Sequence, residues 1–292
     1  MTRKGGKGEM GRVVERREFL GTVAAGAAAL GGLPLLPSPF RLPPARLDRI
    51  GLQLYTVREL LRQDFERTLA RIAAIGYREV EFAGYHDHPP GQVRAVLDRH
   101  GLDAPSAHVA FESLEAGWDG VLQAARVVGH RYVVVAWIPQ EHRRSLDDWK
   151  RIGEQFNRAA TSCRAAGLQF AYHNHSFEFE ALDGRRPYDV LVEVTDAGLV
   201  QLELDFFWVT KGRADPLAYF ARFPNRFPLV HVKDTTAGGD MVDVGKGVID
   251  WRRLFARRAE AGIRHYFVEH DEPADPLASI RTSYQYLRRL EF

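Results

Sequence analysis

The 292-residue chain has a single cysteine, Cys163. An intramolecular disulfide and a cysteine-based zinc site are both excluded. Cys163 sits in a helical pattern and reads as a small packed hydrophobe. A strongly apolar run of about 20 residues, the length that spans a bilayer, is also missing. The uncharged stretch Phe19–Phe40 is rich in Ala and Gly and is broken by Pro34, Pro37 and Pro39. Charge of one sign is lacking as well. Residues 1–45 carry seven Lys/Arg against three Glu, so the remaining residues hold 33 basic and 35 acidic side chains. That body has no net positive field for nucleic acid or an anionic membrane. With 45% hydrophobic and 27% charged residues, collagenous and largely disordered chains are excluded too.

The charge imbalance of the first segment has a pattern of its own. A basic region precedes the mild Ala/Gly-rich run, which is the order found in an export signal. The junction Arg16-Arg17-Glu18-Phe19-Leu20 resembles the twin-arginine motif, Arg-Arg-x-Phe-Leu. The resemblance implies passage through the twin-arginine translocase to a periplasmic or extracytoplasmic location. That route carries folded proteins, which suits a chain that acquires a metal or cofactor before export. Residues 1–45 are therefore expected to be a signal peptide with a Pro-rich linker, and 46–292 the functional domain.

From Arg49 onward, short β-rich apolar runs alternate with helical patterns. Eight runs are expected to be strands, from Ile50–Tyr55, Glu79–Ala83, Ala104–Val109 and Tyr132–Trp137 to Leu168–His173, Val200–Phe206, Pro228–Val232 and Tyr266–Glu269. Between them the 3.6-residue period recurs, as at Phe65, Leu69, Ile72 and Ile75. Glycines such as Gly101, Gly129 and Gly262 follow the helical stretches as C-caps. Strict alternation means a parallel sheet with right-handed crossovers. An open doubly wound sheet normally carries a Gly-rich first turn. The first turn here is Leu54-Tyr55-Thr56-Val57-Arg58. The expected fold is therefore an α/β (β/α)8 TIM barrel in a single domain.

In such a barrel the active site lies at the C-terminal ends of the strands. Ionisable residues gather there: Glu81 and His86, His108, His173 and His175 with Glu178, Glu203 and Asp205, His231 and Lys233, and Glu269 with Asp271. Imidazoles and carboxylates without thiols suit one divalent metal: Mn, Co, Zn, Fe or Mg. Tyr55, Trp137, Phe207 and Trp208 would supply an apolar wall for a ligand, and His108 a further contact to it. Lys233, two residues after His231, should face the same mouth, to steady a developing oxyanion or to pair with Glu203 or Asp205. Gly245-Lys246-Gly247 precedes a helix and has the look of a phosphate site, but a structural turn is the favoured reading.

Taken together, Tyr-His-Asn-His-x-Phe-Glu-Phe at 172–179, Leu-Asp-Phe-Phe-Trp at 204–208, His-Val-Lys-Asp at 231–234, Val-Gly-Lys-Gly-Val-Ile-Asp-Trp at 244–251 and Val-Glu-His-Asp at 268–271 resemble the sugar phosphate isomerase/epimerase family of xylose isomerase-like barrels. The resemblance covers Arg49 to about Leu290. It implies one divalent metal on Asp205, His231 and Glu269. The family's fourth ligand is a Glu on the fifth strand; the matching position here is His173, with His175 or Glu178 as alternatives. It also implies carbon-acid chemistry: a glutamate removes a proton beside a carbonyl, and the metal stabilises the enediolate. Epimerases of the family use two opposed metal-bound glutamates. A His at the fifth strand removes one of them, leaving Glu269 as a base and Glu178 or His175 as the second acid/base group.

The expected activity is thus a metal-dependent isomerase or epimerase acting on a keto-sugar or cyclitol. A lyase or dehydratase of a 3-keto-sugar or inosose comes second, since the inosose dehydratases of the family share a His-x-His sequence at the fifth strand. A non-catalytic exported sugar-binding module is a further alternative. A metal-dependent endonuclease is disfavoured by the net negative body. The expected partner is a small sugar or cyclitol, not nucleic acid, and an oligomer is compatible with the sequence.

Overall fold

The computed structural model describes residues 45–292. The expected twin-arginine motif and nearly all of the export segment lie outside the described residues. Eight parallel strands close a barrel: β1 (Gly51–Gln53), β2 (Glu79–Phe82), β3 (Asp103–Val109), β4 (Tyr132–Val135), β5 (Gln169–His173), β6 (Val200–Asp205), β7 (Leu229–Val232) and β10 (His265–Val268). Between β7 and β10 lies a small antiparallel hairpin, β8 (Asp234–Thr235) with β9 (Met241–Val242). Strand β1 pairs with both β2 and β10, so no strand edge is left open. The expected (β/α)8 barrel is therefore the fold.

Most strand residues are buried, as expected where helices cover the outside and side chains fill the inside. Alternate residues point inward. Tyr132, Val134, Ala171, Leu229 and Phe267 form an apolar cluster of their own, separate from the layer beneath the helices. Phe267 needs the space over Gly51, where a Cβ would come within 2.5 Å of its ring. Two residues beyond Ala171, Leu229 and Phe267 the inward positions turn polar, at His173, His231 and Glu269, with Glu203 beside His173 on β6. The polar cluster therefore stands on an apolar floor.

Several boundaries differ from the sequence expectation, each for a local reason. The first strand stops at Gln53, whose side chain accepts a hydrogen bond from the Tyr55 amide at 3.0 Å and starts a 3-10 turn at Leu54–Val57. A short helix, Phe206–Lys211, follows β6 directly, because the Asp205 carboxylate caps it through the Trp208 amide at 3.0 Å. The helical stretch ahead of the Gly262 cap is two pieces, Trp251–Ala256 and Arg258–Ala261, interrupted at Arg257. The long helix Leu146–Ala165 begins in a reciprocal capping box between Ser145 and Asp148.

Candidate active site

The C-terminal ends of the strands open on a cavity of about 720 Å³. Its wall includes Tyr55, His108, Trp137, His175 and Trp208, all marked by the sequence, and its base includes His173, Lys233 and Glu269. Trp137 and Tyr55 are half exposed at the mouth. The Trp137 ring stands edge-on to His175, and His175 edge-on to His173, with ring centres 4.8 and 4.9 Å apart. Phe207 is buried and is absent from this wall.

At the base, His173, Asp205, His231 and Glu269 each offer one ligand atom, and these atoms all lie within 4.8 Å of one another. They come from four neighbouring strands, β5, β6, β7 and β10. Asp205 is divided in use. One oxygen caps the helix at Phe206, while Oδ2 lies 3.4 Å from His173 Nε2 and 3.6 Å from His231 Nδ1. The Asp205 amide donates to Asn174 Oδ1 at 3.1 Å, which ties the ends of β5 and β6 together. The Ala136 carbonyl lies 3.4 Å from His173 Nδ1 and favours the proton there, leaving Nε2 to face Asp205.

His231 Nδ1 and Glu269 Oε2 are 2.8 Å apart; the buried His231 Nδ1 has no other hydrogen-bond partner, while Glu269 Oε2 also has the Lys233 ammonium at 2.8 Å. A buried imidazole nitrogen facing a carboxylate is costly unless that nitrogen carries a proton or a cation lies between the two. A donor set of two imidazoles and two carboxylates fits Mn²⁺, Co²⁺, Zn²⁺ or Fe²⁺, and fits Mg²⁺ less well because Mg²⁺ prefers oxygen alone. Of the three fifth-strand alternatives, the geometry places His173 in this group.

Lys233 Nζ lies 3.2 Å from Asp205 Oδ2, 2.8 Å from Glu269 Oε2 and 2.8 Å from Asp271 Oδ1. Burial alone would discharge it, but these three carboxylates outweigh burial and keep it firmly charged. Its partners thus include Asp205, as the sequence suggested, with Glu269 and Asp271 where Glu203 had been the alternative. Burial opposes ionisation of Glu269, yet Lys233 and then His231 hold its carboxyl well below the usual range. Burial, then His173 and Lys233, push His175 well below the ordinary imidazole value, so it is neutral.

Glu178 stands apart and corrects the expectation that it serves as an acid/base group or ligand. It is fully buried and does not line the cavity. One oxygen accepts from the Tyr172 hydroxyl at 2.5 Å, and both accept from the His175 amide at 3.0 and 2.9 Å. Burial pushes it up to about 7 against those donors. Its geometry is that of a brace for the turn that carries His175.

A second cluster sits beside the first and shares His231. Glu81, His108, Glu203 and His231 also bring their ligand atoms within 4.8 Å. His108 Nε2 lies 2.8 Å from Glu203 and 3.2 Å from Glu81. Burial would lower its pKa, but Glu81 and Glu203 prevail and push it up to about 9. Glu81 also accepts from Gln53 Nε2 at 2.8 Å, from His231 Nε2 at 2.7 Å and from the Ser106 hydroxyl. The sequence placed Glu81 on the second strand without a role. Two acidic residues at inward positions of one strand, Glu79 and Glu81, were the available signal.

The glycine turn at 245–247 is not free to bind phosphate. The amides of Gly245, Gly247 and Ile249 donate to the buried Asp234 carboxylate at 2.8, 3.2 and 3.3 Å, and the Trp251 indole adds a fourth bond at 3.1 Å. The chain's own carboxylate takes the donors that a phosphate would need, as the structural reading of this turn expected.

Residues 69–290 match the model of the xylose isomerase-like TIM barrel family. The chain belongs to that family. An inosose dehydratase from Geobacillus kaustophilus is 23% identical over 300 residues, covering 87% of this chain and 95% of the relative. A solved sugar phosphate isomerase/epimerase from Parabacteroides distasonis superposes with a TM-score of 0.73 at 27% identity, covering 82% of this chain and 93% of its own. The IOLI protein, solved with a zinc atom, shares the fold at 16% identity with a TM-score of 0.66, covering 81% of this chain and 95% of its own. Membership makes this chain an enzyme of a family that includes a dehydratase and an isomerase/epimerase, whose names point to an inosose and a sugar phosphate as their substrates.

Proposed function

We propose that the protein is a metal-dependent lyase. It removes a proton next to the carbonyl of a keto-sugar or cyclitol and then expels a β-oxygen substituent. One observation carries this reading over epimerisation: the clustered ligand set contains a single glutamate. Inverting a carbon needs a base on one face and an acid on the other. Here His173 stands at the fifth-strand position, and Glu178 is sealed away from the cavity. The remaining carboxylates at the mouth, Asp271 and Glu272, follow the same strand as Glu269. Elimination needs only one base beside the carbonyl. The relatives named inosose dehydratase support the same outcome.

His173, Asp205, His231 and Glu269 would hold the metal, which supplies Lewis acidity to the substrate carbonyl. Glu269, kept ionised by Lys233 and His231, takes the proton from the carbon next to the carbonyl. The electron pair of that carbon–hydrogen bond passes toward the carbonyl oxygen, where the charged Lys233 ammonium steadies the developing negative charge. Its return forms the new carbon–carbon double bond and expels the β-hydroxyl, which leaves as water by taking up the proton that Glu269 removed. His108 and the rings of Tyr55, Trp137 and Trp208 would position the ring.

The test is turnover of a panel of inososes and 3-keto-sugars in D₂O, read by mass and by carbon–hydrogen exchange. Loss of water with exchange at one carbon is expected. Exchange with retention of the full substrate mass would replace the lyase by an isomerase or epimerase. Binding without any exchange would leave a sugar-binding module. Glu269→Gln should abolish exchange while the circular dichroism of the fold persists; exchange at the wild-type rate would remove Glu269 as the base.

A further inference from the structure

We infer that Glu81 is a positioning residue that fixes His231 with its proton on Nε2, and so turns Nδ1 toward the metal ligands. The inference rests on the metal-dependent reading above. Glu81 is fully buried on β2 and does not line the cavity. It is not among the four clustered ligands His173, Asp205, His231 and Glu269. Its contacts come from three other strands: Gln53 Nε2 of β1 at 2.8 Å, the Ser106 hydroxyl and His108 Nε2 (3.2 Å) of β3, and His231 Nε2 of β7 at 2.7 Å. An ionised carboxylate only accepts hydrogen bonds, so the proton between Glu81 and His231 belongs to Nε2. A neutral imidazole then has its lone pair on Nδ1. That atom faces Glu269 Oε2 at 2.8 Å and Asp205 Oδ2 at 3.6 Å, and it has no hydrogen-bond partner.

Gln53 and Ser106 complete the device. They occupy lone pairs of the Glu81 carboxylate and stop it from rotating away from the imidazole. The carboxylate–imidazole–metal arrangement fixes ring orientation as well as tautomer. A second cation among Glu81, His108, Glu203 and His231 is the competing use of the same atoms. It would have to break the 2.7 Å bond from His231 and the 2.8 Å bond between His108 and Glu203. Glu203 Oε1 is buried without a partner, so metal stoichiometry belongs in the test.

The experiment uses the full chain as wild type, Glu81→Gln and Ser106→Ala. Zn²⁺ and Co²⁺ affinity is measured by chelator competition, Co²⁺ coordination by its visible absorption, and metal-free stability by thermal unfolding. The wild type should bind one equivalent. Glu81→Gln should weaken binding by roughly 10–100-fold and alter the Co²⁺ spectrum, the scale seen when a ligand's hydrogen-bond partner is removed. Ser106→Ala should shift both in the same direction by a smaller factor, and it decides the matter if Glu81→Gln does not fold. Lowered stability with unchanged affinity and spectrum would make Glu81 a packing residue and overturn the inference. Two equivalents falling to one in Glu81→Gln would make it a ligand, and also overturn it. A wild type that binds no ion would overturn both this inference and the metal-dependent reading, whereas one that binds metal but does not eliminate water leaves this inference standing.

Discussion

His173 departs from the glutamate that the family resemblance implies, and the change alters the options for proton transfer. An imidazole that binds a metal has no second lone pair with which to act as a base. The base role then falls to Glu269. Asp205, with one oxygen capping a helix and the other facing two imidazoles, is the least replaceable member of the set. Asp205→Ala is expected to abolish stoichiometric metal, read by mass spectrometry of the purified full chain. Protons compete with the metal for the same atoms. Without an ion, Glu203 and Glu269 overcome burial and hold His231 well above the ordinary imidazole value. A bound ion would displace that proton, so affinity should rise with pH, about tenfold per pH unit for each proton released. Chelator competition at several pH values gives the slope; a flat profile would exclude a protonated His231 in the metal-free state. That His173, Asp205, His231 and Glu269 gather at one rim was legible from the strand ends; their grouping as a ligand set came from the family resemblance alone. Glu178 was misplaced because sequence gives proximity along the chain but not which way a turn faces. Glu81 acts through partners on three other strands, and such contacts leave no local pattern.

At the scale of elements, the turn after β9 is organised by one buried carboxylate. Asp234 accepts from the amides of Thr235, Gly245, Gly247 and Ile249 and from the Trp251 indole. A Cβ on Gly247 would come within 2.2 Å of that carboxylate and 2.4 Å of the Thr235 carbonyl oxygen. Asp234→Ala strands several buried donors, each costing about 1–3 kcal/mol. A total loss of roughly 3 kcal/mol or more is expected from urea unfolding, with Gly247→Ala destabilising by the same route. A loss below about 0.5 kcal/mol, the scale of ordinary surface changes, would mean that solvent satisfies these donors. The eight strands and most helices were legible because apolar runs and capping residues are local signals. The Phe206–Lys211 helix was not, since it exists through the Asp205 cap rather than through length or periodicity.

On the scale of the whole molecule, His130, just before β4, ties β3 to the segment that follows β2. Its Nδ1 lies 2.7 Å from the Ala104 carbonyl and its Nε2 2.9 Å from the Tyr85 hydroxyl. Burial pushes it down to about 4. The unfolded chain takes up that proton near pH 6.5, before the folded one does, so stability rises with pH across this window. Acidification from about 6.5 to 4 should remove on the order of 3 kcal/mol through this residue alone. Chemical denaturation of wild type and His130→Gln should show their difference narrowing as the pH falls; a constant difference would sink the assignment. The export reading is also a claim about the whole chain. Replacing Arg16 and Arg17 together with Lys should retain the protein in the cytoplasm, as judged by cell fractionation, and unchanged export would reject the twin-arginine route.

The barrel closes twice. Strand β10 pairs with β1, and the backbone of Phe292 exchanges two hydrogen bonds with Ala45 at 2.9 and 3.0 Å. The domain is therefore topologically close to a ring, cut where its first and last residues meet. Its candidate metal-ligating residues occupy one arc of that ring, on neighbouring strands from β5 to β10, and the arc ends beside the cut. Joining Ala45 to Phe292 and reopening the circle at a helix-to-strand turn such as Gly101 would keep that arc whole. The order in which the chain is synthesised and the geometry that performs the chemistry are, in this fold, separable properties.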